Sequence, residues 1–217
     1  MATFQIEPEV QSTDLEAQIT CRLVGVTPLL MHRPGSMQAS TGAVGKTNAK
    51  RIPTPDEECE MAVYRDPDMG YLFAPARWIT RSLTESGKQF TNPQNKKSTL
   101  MRVFAAAILP PPVLGFPLSD PATGEFITEY AQDIQRVVVM RAAVMRARPR
   151  IDEWAVDLAL GIDRGALNIN NSLLDTGKLL LEALTHAGSK QGLGDFRPEK
   201  GGSYGRFKVE NFAISDE

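Results

Sequence analysis

Hydrophobic and polar positions alternate from Ala17 to Leu30, where Ile19, Cys21 and Leu23 are interleaved with Thr20, Arg22 and Val24. A period of two rich in β-branched residues predicts a strand, stopped near Thr27 and Pro28. In "APARWITRSLTES" the spacing changes to three and four. Ala76, Ile79 and Leu83 then share one face, Arg77, Arg81 and Lys88 fall mostly off it, and Pro75 suits a first helical position, so a helix is predicted from about Pro75 to Ser86. A second stripe, Leu173, Gly177, Leu180, Leu181 and Leu184, predicts a helix over about 171–186, capped by Asn171 or Ser172 and closed by Gly188.

Between these helices, "MRVFAAAILP" reads as a buried strand ended by Pro110 to Pro112, which cannot donate ladder hydrogen bonds. Val137 to Val139, and the alternation of Trp154, Val156, Leu158 and Leu160, predict two further strands joined near Pro149, and "GRFKVENFAI" a last one. The order strand, helix, strand, strand, helix, strand predicts an α+β fold, a ferredoxin-like or RRM-like βαββαβ core with an antiparallel sheet covered on one face by two helices. Two stretches do not fit that core. Residues 31–60 form a long Gly/Ser/Thr/Pro-rich loop, and residues 110–135 are rich in turn signals.

Composition narrows the function classes. A chain of 217 residues, 42% hydrophobic and 23% charged, suits one globular domain over 1–217, and a net charge of -2 gives no overall attraction for a polyanion. Nucleic-acid binding would have to come from local patches. Two cysteines, with no CxxC pair and no Cys/His cluster, point to a reducing compartment and away from zinc; no cofactor is expected. No apolar run approaches the ~20 residues of a membrane helix, and the N-terminus has no signal-peptide pattern, so no membrane partner and a cytoplasmic location are expected.

The candidate chemistry lies in three places. "RPEKGGSYGRF" combines Gly201, Gly202 and Gly205 with Arg197, Lys200 and Arg206, and Tyr204 adds a surface on which a base can stack. These residue types suit a phosphate cradle, where backbone N–H groups converge on an anion; the plainer reading is a surface loop whose glycines only satisfy turn geometry. From 136 to 150 there are five arginines and no acid. Arg141, Arg146, Arg148 and Arg150 among them suit bidentate phosphate contacts, or pairing with an acidic neighbour. His32 and Arg33 follow the first strand, with Lys46 and Lys50 beyond, and Arg77 and Arg81 on the predicted helix extend the candidate binding surface. His32 is a weak candidate for acid–base catalysis, and no other catalytic residue is proposed.

Three segments, "VGVTPLLMHR", "YLFAPARWITRSLTESGK" and "GLGDFRPEKGGSYGRFKV", resemble in order and type the signatures of the RAMP superfamily, particularly the backbone subunits of CRISPR effector complexes. The middle segment keeps the Pro, the helix start and the Arg of its signature but lacks the glycine and serines. The resemblance implies an RRM-like core that holds the backbone of single-stranded RNA, or DNA. It also implies partners: further copies of the same chain in a filament, or other effector-complex subunits in antiviral defense. It further implies a thumb that splays the strand, expected in 110–135. Target cleavage in that family uses an acid in the loop after the first strand; none lies between His32 and Pro55 here, so a non-catalytic role is expected. Two alternatives remain, a metal-independent endoribonuclease using His32 and a viral or assembly protein using the fold for protein contacts.

Overall fold

The computed structural model describes residues 16–33, 53–139 and 142–216. Strand β1 (Glu16–Gly25) follows the predicted alternation, with Ala17, Ile19, Cys21 and Leu23 buried. It continues through the turn at Thr27 into β2 (Leu29–Leu30). Helix α1 (Pro55–Ala62) starts in a capping box: Thr54 Oγ1 accepts from the Glu57 amide and a Glu57 carboxylate oxygen accepts from the Thr54 amide at 3.0 Å. The short β3 (Phe73–Pro75) leads into α2 (Ala76–Ser86), which buries Ala76, Ile79 and Leu83 and leaves Arg77 and Arg81 in solvent, as its spacing predicts.

The next segment departs from expectation. A small hairpin, β4 (Thr91–Asn92) and β5 (Asn95–Thr99), is followed by helix α3 (Met101–Ala107) and only a two-residue strand, β6 (Ile108–Leu109). "MRVFAAAILP" is thus mainly helical. Phe104 and Ala107 are buried three residues apart, the spacing of a helix face, and the Ala run favours that state intrinsically.

Residues 110–135 are partly woven into the body. Strand β7 (Gly115–Pro117) pairs with β3, the Leu118 amide donates to Leu72 O at 2.8 Å, and Ser119 exchanges two backbone hydrogen bonds with Ala155. A long hairpin, β8 (Ala131–Val139) and β9 (Ala142–Ile151), follows and pairs with β2. Pro149, expected to mark a joint, lies inside β9; it lacks an N–H, and its carbonyl accepts from the Met31 amide at 2.9 Å.

Strand β10 (Ala155–Asp163), helix α4 (Leu173–His186), a π-turn over 187–191, and β11 (Phe207–Asp216) complete the chain. The main sheet has the order β11-β1-β10-β6 and is antiparallel throughout. Its register sets Leu23 against Val156 and Ile19 against Leu160, so one face is continuously apolar. That face joins Ile79 and Leu83 of α2 and Leu180 and Leu184 of α4 in one core. Gly177 lets α4 approach closely, since a Cβ there would meet Ile214 Cγ2 at 2.7 Å. The opposite face is polar, with Arg22 and Asp157 paired at 2.6 Å.

Candidate nucleic-acid interface

The exposed edge of α2 forms one wall of a groove of about 730 Å³. Arg77, Trp78 and Arg81 come from α2; Gly192, Leu193 and Gly194, with Arg197 and Glu199, come from the loop after α4; His32, Tyr64, Phe104 and Ile108 complete the lining. Helix amphipathicity decides which residues reach the groove. Burial of Ile79 and Leu83 against the sheet turns Arg77 and Arg81 outward, one helical turn apart.

Aromatic packing holds Tyr64 and Arg77 in the groove lining. Tyr64 is buried, sits edge-on to Trp78 at 5.2 Å and to Phe73 at 5.8 Å, and its hydroxyl accepts from Arg77 Nη2 at 2.6 Å. The Arg77 guanidinium also lies 5.9 Å from the Tyr64 ring centroid. Arg81 is exposed and has no hydrogen bond or ion pair among the described residues. Across the groove Arg197 is held by Glu199 and by Gly194 O at 2.9 Å. Burial acts to raise the Glu199 carboxyl, but the hydrogen bond and charge of Arg197, with Lys200 and Arg81 beyond it, hold it below its ordinary pKa. His32 is half-buried, and burial pushes its pKa below the usual 6.5 against the opposing charge of Asp195, with Arg148 and Arg146 adding to the depression. It is therefore neutral near pH 7 and offers one donor and one acceptor.

The glycine loop is built differently from a cradle of free amides. The amides of Leu193, Asp195, Gly202, Tyr204 and Gly205 donate to Gly205 O, Leu30 O, Arg197 O, Phe196 O and Pro28 O, at 2.8 to 3.2 Å. These donors are committed within the protein, and the loop is clamped onto β2. Gly205 is required by that clamp: its φ is +70° and a Cβ would lie 1.9 Å from Leu193 O. Gly201, at φ +77°, faces open space beside the exposed Lys200. Tyr204 does not point to the groove's ligand space; its hydroxyl donates to Asp133 Oδ2 at 2.7 Å and accepts from Gln135, tying the loop to β8. Arg206 Nη1 donates to Ser189 O at 2.6 Å.

The arginines of β9 are largely engaged too. Arg146 pairs with Glu58 at 2.6 Å, Arg148 with Asp195 at 3.3 Å and Arg150 with Asp152 at 2.8 Å. The groove therefore gathers His32, Arg77, Arg81 and Arg197 from the sequence-predicted set, whereas Arg146, Arg148 and Arg150 bind α1, the loop and the next turn. Arg33 is exposed in an adjoining groove of about 770 Å³ beyond Tyr64 and Arg77. Lys46, Lys50 and Arg141 lie outside the described residues. Tyr64 and Trp78 were not singled out from sequence, and the signal available was Trp78 next to Arg77 on the helix's outer edge. Among the described residues no group of three or more His, Cys, Asp or Glu could hold a metal ion, and no helix is long and apolar enough to cross a membrane.

The fold and groove define an α+β protein with a four-stranded antiparallel sheet, helices on its apolar face and a cationic, aromatic cleft beside it. No family model matches the sequence, and no curated protein matches it. Among solved structures the chain is similar to one in the cryo-EM structure of the Type III-B Cmr-beta bound to cognate target RNA, with a TM-score of 0.51 and 12% sequence identity. The match covers 96% of this chain and 63% of that one, so this chain spans just under two thirds of its neighbour's length. At that identity the likeness is one of fold.

Proposed function

We propose that this chain is a RAMP-type relative whose sheet, ordered β11-β1-β10-β6, is a ferredoxin-like core, and that the groove along α2 holds the backbone of single-stranded RNA. The observation that carries the reading is the convergence of Arg77, Arg81, Arg197 and His32 on one cleft from three separate parts of the chain. Guanidinium groups suit phosphate, and Trp78 gives an unstacked base a surface. The resemblance of the neighbour's fold, in a complex bound to target RNA, supports the same class.

In this reading the glycine loop is a buttress. It positions Arg197 through Glu199 and Gly194 O and leaves phosphate contact to side chains. The β8–β9 hairpin is the element we assign to the thumb, because residues 115–127 are tied to the body. The chain acts as a binding subunit beside further copies or other effector subunits, and His32 contributes a neutral contact without cutting.

Fluorescence anisotropy with a labelled single-stranded RNA tests the site. Arg81→Glu is expected to weaken binding at least about tenfold, since one charge-assisted contact is replaced by repulsion. Unchanged affinity would remove the groove from the account. RNA shortened by the wild type but left intact by His32→Ala would replace the binding reading with the nuclease one.

A further inference from the structure

The outer edge of α2 carries more than arginines. Arg77, Arg81 and Glu85 follow one another at four-residue spacing, Thr80 and Thr84 run beside them, and all five line the groove. The row thus passes from two cations to a carboxylate, with a pair of hydroxyl residues alongside.

These hydroxyls are uncommitted. In α4, Thr176 Oγ1 and Thr185 Oγ1 donate to the carbonyls of Ser172 and Leu181, four residues back, at 3.0 and 2.8 Å. Neither Thr80 nor Thr84 makes a side-chain hydrogen bond among the described residues, and both are half-buried. The Ser82 hydroxyl between them in sequence is also unpaired but sealed from solvent, whereas those of Thr80 and Thr84 reach it. Glu85 keeps one carboxylate oxygen, Oε2, on Lys88; its Oε1 has no hydrogen bond among the described residues and also reaches solvent.

Phosphate oxygens only accept hydrogen bonds, so a carboxylate one turn beyond Arg81 repels them and calls for a donor. The 2′-hydroxyl of ribose is the one donor on a nucleic-acid backbone, and deoxyribose lacks it. We propose that Thr80, Thr84 and Glu85 read this 2′-hydroxyl and make the groove selective for RNA over DNA. The arginines hold the phosphates of either strand, the Glu85 carboxylate accepts from a 2′-hydroxyl, and a Thr hydroxyl, donor and acceptor at once, pairs with the next. The proposal rests on the groove reading above and adds a separate demand, discrimination between two backbones of equal charge.

Fluorescence anisotropy of the full chain, with one labelled sequence made as RNA, as DNA carrying uracil and as 2′-fluoro RNA, tests the assignment at matched salt. RNA is expected to bind at least about tenfold tighter than DNA, the lower end of what a hydrogen bond to a charged acceptor supplies. The 2′-fluoro strand keeps the ring pucker of RNA but has no donor, and should bind like DNA. A Thr80→Val, Thr84→Val pair keeps the branched shape and should lower the RNA-to-DNA ratio at least about threefold. Its salt slope should stay unchanged, since no charge is removed. Glu85→Gln should narrow the ratio too, partly by strengthening DNA binding as the repulsion of phosphate is relieved. Equal affinity for RNA and DNA, 2′-fluoro RNA matching RNA, or an unchanged ratio in the folded Thr pair would each overturn the selectivity and leave strand binding standing. No binding of either strand at low salt would overturn the groove reading, and the selectivity with it.

Discussion

Arg146 Nη1 lies 2.6 Å from Glu58 Oε1, while the second Glu58 oxygen accepts from the Ala147 amide at 2.9 Å, so one carboxylate bridges α1 to β9 across 88 residues of sequence. Both side chains are largely buried, 21% and 13% exposed, so the bridge is shielded from solvent. Glu58→Ala leaves a guanidinium and an amide without partners. It is expected to destabilise the fold by about 2 kcal/mol, more than Arg146→Ala, and a double-mutant cycle by urea denaturation should show coupling of about 1 kcal/mol. Additive losses would mean that the two residues act independently.

The glycine loop supplies a graded pair of substitutions. Gly205→Ala forces a Cβ against the Leu193 carbonyl at a positive φ, and a loss of about 3 kcal/mol is expected. Gly201→Ala has the same backbone strain but open space, and should cost about 1 kcal/mol. Thermal unfolding of the two variants measures the difference; equal losses would show that the loop is not clamped onto β2 as described.

Histidine sets the first acid-sensitive step. Burial lowers the pKa of both His32 and His186 below the unfolded value of 6.5, and Lys190 adds to the effect at His186. The unfolded chain thus takes up protons that the folded one refuses, so stability is fully present above about pH 6.5 and falls as pH drops through the lowered folded values. Urea midpoints should be flat from about pH 8 to 7 and decline below about 6.5. A His32→Asn, His186→Gln double variant should flatten that decline, and an undiminished slope would assign it to other groups.

The two thiols should be inert. Burial pushes Cys21 up to about 12 and Cys59 up to about 11, with Asp157 and the acidic residues of α1 respectively adding to it, and both are free and buried. A thiol-reactive chromophore at mildly alkaline pH is expected to report no reaction with the native chain and both cysteines after unfolding in urea. Fast labelling of the folded chain would contradict the burial.

Amphipathic elements were legible in the sequence. The period of two in β1, the stripe of α2 and most of the stripe of α4 appear where predicted, with Ser172 as the cap of α4, because each is set by burial of one face against a single core. In α4 Thr176 and Ala183 are buried and Leu181 is not, and Gly188, expected to close the helix, lies inside the π-turn that ends at Gly192, φ +71°. α3 was misread because a short apolar run ended by proline carries no period, and the helix is decided by where Phe104 and Ala107 find the core. The arginines of β9 were legible as charge but not as partners. Glu58 and Asp195, which engage Arg146 and Arg148, lie far away in sequence, and only the fold brings them near. The same holds for Tyr64, which reaches the groove through Arg77 and Trp78.

The central claim is that the groove of Arg77, Arg81 and Arg197 holds a single strand by its phosphates. The most direct measurement is the salt dependence of RNA affinity for the wild type and for an Arg77→Gln, Arg81→Gln pair. Two to three phosphate contacts on a single strand predict a slope of log K against log salt of about −1.4 to −2.1 for the wild type, and about −0.7 or shallower for the pair. Absence of binding at low salt, or an identical slope and affinity in the variant, would contradict the account.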